Sequence, residues 1–360
     1  NDFVQGLAGI PRSDQNYTMT LTVSVTGTAA ANTPLYAPLR GLNAMLRVDR
    51  LLPVRAGMHT AATRDCANSR SVTNRIVAHE ILLGGSAFTP TDIARATPTF
   101  GDRPYAFVLA LTTSQKRLDD AARTAVSSDL SIGAVGLPLG GQVQRGIHHL
   151  FHLTIPQGWD LQICRGGCPV ARYTLGVQHL LMQRTHADAQ FVANGTVGYQ
   201  THAGIGAAVR VGRRQSPWWI ANGDLQTTLN THAPLLTLQA PAGARVAAPA
   251  VASVSAPGSA PTERSWELYG FGVVRLRAVG YNMLLQGAPW RTDPVTLPSS
   301  QLSRGIGEFQ GGVVGGWRGV NLVFSVSGRT TEFSGPFARS HLWGGLYLSL
   351  FFSPISAARQ

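Results

Sequence analysis

The sequence predicts an all-β fold: a closed antiparallel transmembrane β-barrel of about twelve strands, with one short helix near a candidate site. Three observations predict it. Alternation of apolar and small polar side chains with a period of two recurs along the chain, as in strands with two unlike faces. Only 13% of residues are charged, against about 25% in a typical soluble domain. Hydrophobic residues nevertheless make up 44% of the chain, and no uninterrupted apolar run reaches the roughly 18 to 20 residues a membrane helix needs. Periodicity alone does not separate a lipid-facing face from a core-facing one, so a soluble β protein stays open here.

The first element is the clearest. Over Tyr17–Gly27 the residues Tyr17, Met19, Leu21, Val23 and Val25 share one parity, and Thr18, Thr20, Thr22, Ser24 and Thr26 share the other. Residues 28–72 form a long variable connection, with an amphipathic helix expected over Leu42–Leu52. Strands follow at 74–88, 103–113 and 127–136, then at 171–182, 187–199 and 201–212. The Ala-, Pro-, Ser- and Thr-rich stretch 228–262 has no period and reads as a flexible loop or disordered insert. Strands resume at 265–278, 280–287, 304–315, 318–330 and 341–352, which makes twelve, an even number suited to an up-and-down barrel. Within 318–330, Val320, Leu322, Phe324 and Val326 oppose Asn321, Ser325 and Ser327. Glu267, Arg275 and Arg277 share a parity that would pair charges inside a lumen. Residues 1–360 read as one barrel domain with 28–72 and 228–262 as its variable loops.

The formal net charge is +12, nearly all from arginine, since Lys116 is the only lysine. An anionic partner is expected, nucleic acid, acidic lipid or phosphorylated glycolipid. The arginines are dispersed and no RNA-binding signature occurs, which counts against nucleic acid. Cys164 and Cys168, in CRGGC, could close a small disulfide loop in an oxidising compartment. The chain begins at Asn1 with neither methionine nor signal sequence, as a processed protein would and as a trimmed one would.

The stretch Gly136–Ile163 carries the strongest chemical signal. Glycine and proline breakers (Gly136, Pro138, Gly140, Gly141) precede about ten helix-compatible residues, and Pro156 and Gly158 end them. Gln144, His148 and His152 recur at i, i+4 and i+8, so they line one helical face. Imidazole suits proton transfer near neutral pH. A surface or capping histidine cluster is the plain alternative. His148 and His152 could also chelate zinc, though no third ligand is identifiable. Trp159, Trp218, Trp219 and Trp343 read as interface-belt or packing residues.

Several motifs line up in order: Asn1-Asp2-Phe3, D-x-x-Y-T (Asp14, Tyr17, Thr18), F-T-P-T-D-I (Phe88 to Ile93) and D-R-P-Y-A (Asp102 to Ala106). V-Q-x-x-x-H (Val143, Gln144, His148), G-W-D-x-Q (Gly158, Trp159, Asp160, Gln162), Asn194-Gly195 and YGFGVVRLRAVGYNMLLQG follow. Together they resemble the lipid A 3′-O-deacylases of the Gram-negative outer membrane, over nearly the whole chain. The resemblance implies a twelve-stranded outer-membrane barrel with its site near the outer-leaflet end. It also implies calcium-dependent hydrolysis of the 3′-linked acyloxyacyl chain of lipid A by a monomer.

By that resemblance His148 is the general base and Gln144 its neighbour one helical turn earlier. Thr18 is the strand threonine of the site, Asp2 a calcium ligand, and Asn1 a substrate-binding group. Arg95 stands where lysine is expected, and arginine pairs with phosphate rather than donating a proton. The family usually carries a carboxylate shortly after the histidine helix; Thr154, Arg165 and Gly166 stand there instead. A non-catalytic barrel, a scaffold or pore that kept the fold, is the competing reading. With Gln144 and His148 one turn apart on a helix at the barrel mouth, both are expected to face the interior rim.

Overall fold

A computed structural model describes residues 16–51, 74–220, 266–317 and 320–350. Eleven strands form one antiparallel sheet whose spatial order is the chain order. They are β1 (Asn16–Thr26), β2 (Asn74–Thr89), β3 (Ala106–Asp119), β4 (Thr124–Val135), β5 (Cys168–Gln183) and β6 (Ala187–Gly198). β7 (Gln200–Arg213), β8 (Trp266–Asn282), β9 (Gly305–Trp317), β10 (Val320–Arg329) and β11 (His341–Leu350) complete it. Each strand pairs with its sequence neighbour, as tight up-and-down connections dictate. The sheet curls until β1 and β11 approach within 8 Å between Cα atoms, but no ladder joins them among the described residues.

Among the described residues the strands number eleven where twelve were expected, and no closing ladder is seen there. The difference in count has a local cause. The stretches 265–278 and 280–287 are not two strands, because β8 runs through Gly280 to Asn282. There Asn282 caps a helical turn, Met283–Gln286, its side-chain oxygen accepting from the Leu284 amide at 3.1 Å, as Asn does at helix starts. The stretch 228–262 lies outside the described residues. The helix expected over Leu42–Leu52 forms earlier, as α1 (Ala37–Met45), started by Pro38 in its first turn.

Apolar residues face outward and polar ones face the lumen, the reverse of a soluble domain. Leu21 is 72% exposed, and Val23, Val25, Leu276, Leu322 and Leu348 are also exposed. On the opposite parity Ser86, Thr112, Ser131, Thr174 and Thr196 are buried and bond across strands, as in Thr112–Ser131 at 2.8 Å and Thr174–Thr196 at 3.1 Å. An outward apolar band over a polar lumen is the pattern of a barrel solvated by lipid. No helix among the described residues is long and apolar enough to cross a membrane.

Among the described residues, side chains pack on the lumen side near both ends of the sheet. At the end where β7 finishes and β8 starts, Trp218 and Trp219 pack against Leu118, Ala125, Leu180, Tyr269, Val314 and Val323. The Trp219 carbonyl accepts from Lys116 Nζ at 2.8 Å. At the other end, Arg103 in the β2–β3 loop bonds Glu332 in the β10–β11 loop. Glu332 also binds Arg329 at 2.8 Å, and Glu308 binds Arg329 at 2.9 Å and Arg277 at 3.0 Å. Isolated buried charges are costly, so these groups persist by sharing partners.

Candidate active site

The β4–β5 connection supplies the candidate site. It begins with helix α2 (Leu139–Leu150), which lies on the outward face of the sheet and not at the interior rim, contrary to the sequence expectation. The parity of its seat establishes this. Ala87 and Phe107 are ladder partners, share the parity of the exposed Leu83, and are buried with Tyr105 and Trp159 beneath the connection. Two glycines permit so close a seat. A Cβ on Gly140 would stand 2.3 Å from Phe107 Cγ, and one on Gly141 would stand 2.7 Å from Trp159 Cγ.

The end of α2 then positions His148. Leu153 N donates to the His148 carbonyl at 2.8 Å and His152 N to that of His149 at 3.3 Å. With His152 at φ 53°, this is a Schellman stop with the left-handed position filled by histidine rather than glycine. The turn sends the chain back, and the Thr154 carbonyl oxygen arrives 2.5 Å from His148 Nδ1. A carbonyl only accepts, so Nδ1 carries the proton and the neutral ring keeps its lone pair on Nε2.

Gln144 stands on the other side of that ring. Trp159 Nε1–H donates to Gln144 Oε1 at 2.8 Å, which orients the amide so that its Nε2 lies 3.5 Å from His148 Nε2. Gln144 is 2% and His148 4% exposed. Trp159 is held in turn by its contact with Tyr105, ring centroids 5.0 Å apart, and Tyr105 Oη donates to the Ile93 carbonyl at 3.1 Å. The Ile93 carbonyl also accepts from Gln157 N at 2.8 Å. Asp102 organises the same loop by accepting from the amides of Thr91 and Arg103, each at 2.7 Å. The row Trp159–Gln144–His148–Thr154 is thus a polar chain built on the outer wall.

A family model described as outer membrane protein LpxR matches residues 1–352. The chain belongs to the LpxR family of outer membrane proteins. A solved structure, LpxR from Salmonella typhimurium, shares the fold with a TM-score of 0.59, covering 93% of this chain and 100% of that one at 16% identity. Comparison with curated proteins finds no sequence match. Membership places this LpxR-family protein in the Gram-negative outer membrane, and the inverted polarity of its sheet agrees with that location.

Of the residues singled out in the sequence, Gln144 and His148 meet. His152 does not join them; it leaves the helical face as the exposed left-handed residue, and the paired-histidine zinc idea loses its geometry. Among the described residues no group of three or more His, Cys, Asp or Glu could hold a metal. Asn1 and Asp2 lie outside the described residues. Thr18 is placed by its backbone: Tyr17 pairs with Phe88 and Met19 with Ala87, so the register slips at Thr18. That slip adjoins Ala87, on which α2 sits.

Arg95 is exposed, and its carbonyl would lie 3.1 Å from a Cβ on Gly158. Its main chain thus borders the turn that carries Trp159. Cys164 and Cys168 form a disulfide at the base of the same connection, and Cys164 N donates to Asp293 at 2.9 Å. Asp160 faces solvent in an exposed pair with Arg165 at 3.0 Å, so it does not serve the histidine. Sequence reasoning missed the Thr154 carbonyl, because a main-chain acceptor leaves no residue-type signal. It also read Trp159 as an interface-belt or packing residue, where its N–H fixes Gln144.

Proposed function

We propose that this LpxR-family protein is a lipid A 3′-O-deacylase that hydrolyses the ester of the 3′-linked acyloxyacyl chain, with His148 as general base. One observation carries the reading: His148 and its polar chain sit between α2 and the outward, lipid-facing wall. A lipid substrate reaches that crevice by lateral movement in the membrane, without passing through the lumen. Among the described residues, side chains pack on the lumen side near both ends, which weighs against the pore reading.

His148 Nε2 takes a proton from water as the water oxygen attacks the ester carbonyl. The Thr154 carbonyl accepts Nδ1–H throughout and favours the imidazolium that forms, the role a carboxylate fills in other histidine bases. The imidazolium then returns its proton to the departing hydroxyl oxygen, and the products are a free acid and a free alcohol. The Gln144 amide, fixed by Trp159, donates toward developing negative charge beside Nε2. Thr18, whose backbone lies at the register slip beside Ala87, serves the site as the strand threonine that the resemblance implies. Arg95 binds a lipid A phosphate as a guanidinium fork, and Asn1 contacts substrate.

Calcium enters through the family resemblance. By that resemblance the residues that would hold it are Asp2, with the oxygens of Asn1 and Thr18 as further hard donors that suit this ion. When bound, calcium would polarise the ester carbonyl.

The test is mass spectrometry of lipid A from cells expressing wild-type and His148→Ala protein, with and without chelator. The reading requires loss of the 3′-acyloxyacyl mass in wild type only, and its suppression by chelator. Unchanged lipid A in membranes holding folded wild-type protein would leave the scaffold reading.

A further inference from the structure

A second helix also sits on the outer wall, at the far end from the site. The connection from β1 to β2 carries Tyr36, α1 and the turn Val48–Arg50, and its contacts fall on outward-facing positions. Ala30, Tyr36 and Leu39 pack with Ile81, Leu130 and Tyr173, and Val48 packs with Val126, Leu175 and Val177. Ile81 shares the parity of the exposed Leu83, and Leu130 that of the exposed Ile132. The segment therefore lies on the lipid-facing surface.

Polar bonds fix it there. Asn43 Nδ2 donates to Ser128 Oγ at 2.8 Å and to Gln115 Oε1 at 3.3 Å, and Tyr173 Oη donates to Asn43 Oδ1 at 3.0 Å. Tyr36 Oη lies 2.5 Å from the Glu80 carbonyl oxygen and 2.6 Å from that of Ser114. Polar groups on a wall that meets hydrocarbon need protein partners, and the segment supplies them. What it turns outward is thus a fixed surface. Leu35, Met45, Leu46 and Leu51 are exposed, and so are Arg40, Arg47 and Arg50. Over residues 28–51 these three arginines stand against one acidic residue, Asp49. Exposed leucine and methionine beside exposed arginine suit the boundary between water and hydrocarbon better than either medium alone.

The strands give the level of this boundary. Val135, where the site connection leaves β4, and Val126, beneath Val48, are nine residues apart. That is about 30 Å along the strand. At a tilt of about 40° it is about 22 Å along the membrane normal, close to the roughly 25 Å height of a barrel's apolar band. The α1 segment and the site connection thus stand at opposite rims of the band.

We propose that the α1 segment binds anionic phospholipid headgroups in the leaflet opposite the deacylation site. The leaflet assignment rests on the reading that α2 works among lipid A. Guanidinia match phosphate in charge and in forked donor geometry, and each arginine near an anionic surface strengthens attachment about fivefold. The exposed leucines enter the acyl boundary beside them.

The experiment reconstitutes the full chain in vesicles of equal parts phosphatidylcholine and phosphatidylglycerol, extracts it in uncharged detergent and counts co-purifying lipid by mass spectrometry. The proposal predicts phosphatidylglycerol enriched about tenfold over phosphatidylcholine, and the enrichment lost in about 0.5 M sodium chloride, which screens exposed charge. Arg40→Gln combined with Arg50→Gln leaves the bonds of Asn43 and Tyr36 in place and should cut the enrichment at least fivefold. Arg47 is kept because it holds a left-handed backbone at φ 53°. A second arm replaces phosphatidylglycerol with lipid A, whose retention the double variant should leave unchanged. Equal retention of the two phospholipids by folded wild type, or undiminished enrichment in the folded variant, would overturn the proposal. A matching loss of lipid A in the variant would overturn the leaflet assignment. Retention is read without turnover, so an inactive protein that still enriches phosphatidylglycerol counts against the deacylase reading alone.

Discussion

His148 Nδ1 and the Thr154 carbonyl oxygen stand 2.5 Å apart, and the bond depends on one residue between them taking a left-handed conformation. His152 occupies it at φ 53°. A left-handed residue other than glycine costs roughly 1–2 kcal/mol. His152→Gly should therefore keep activity and raise stability by up to about 1 kcal/mol, whereas His152→Val should lower both. Melting temperature and initial rate, measured on the same preparations, check it; a glycine variant as inactive as the valine one would show that the imidazole of His152 itself is needed.

Gly140 should be intolerant for a different reason. Its Cβ would fall 2.3 Å from Phe107 Cγ, and overpacking of this kind costs about 1–3 kcal/mol. Because the clash lies between α2 and the outer wall, Gly140→Val should undock the helix and reduce turnover while the barrel stays folded. Heat-dependent gel mobility, which reports the barrel, should match wild type while lipid A deacylation falls.

Trp159→Phe keeps the ring packing and removes the N–H that holds Gln144. The amide then loses its fixed orientation, and an orphaned buried acceptor costs about 1–3 kcal/mol. The rate should fall by roughly tenfold, with Gln144→Leu giving a similar loss and the double variant little more. Additive losses would mean that the two residues act separately.

Glu332 sets a pH dependence of stability. Burial alone would raise its carboxyl pKa, but Arg103, Arg329 and Arg277 beside it outweigh burial and hold it at about 2. The folded value lies below the unfolded one of about 4.3, so this stabilisation is complete above that value and is lost as pH falls through about 4 toward 2. Melting temperature should drop across that window. Glu332→Gln should flatten this component and lower the baseline by about 3–5 kcal/mol, because two buried guanidinia lose a partner. An unchanged acid limb in Glu332→Gln would assign the effect to other carboxylates.

Much of the fold was legible because a strand with two unlike solvents writes its alternation directly into the sequence. Val320, Leu322 and Phe324 against Asn321, Ser325 and Ser327 needed nothing else. The extra strand came from splitting the chain at Val279, although β8 runs on through Gly280 and Asn282 made the real stop. The Gln144–His148 pair followed from helical spacing. Its location on the outer wall did not, since spacing gives a helix face and not the surface it meets. The Thr154 carbonyl was hidden because the Schellman turn that delivers it has histidine where glycine would have announced it.

The central claim is that His148, docked on the lipid-facing wall, is the base for ester hydrolysis. The most direct measurement is the single-turnover rate of lipid A deacylation in mixed micelles, with calcium present, comparing wild type and His148→Gln of equal heat-dependent gel mobility. The account predicts a fall of about 10²–10⁴-fold with the barrel intact. A rate for folded His148→Gln within a factor of about three of wild type, less than 1 kcal/mol of barrier, would contradict it.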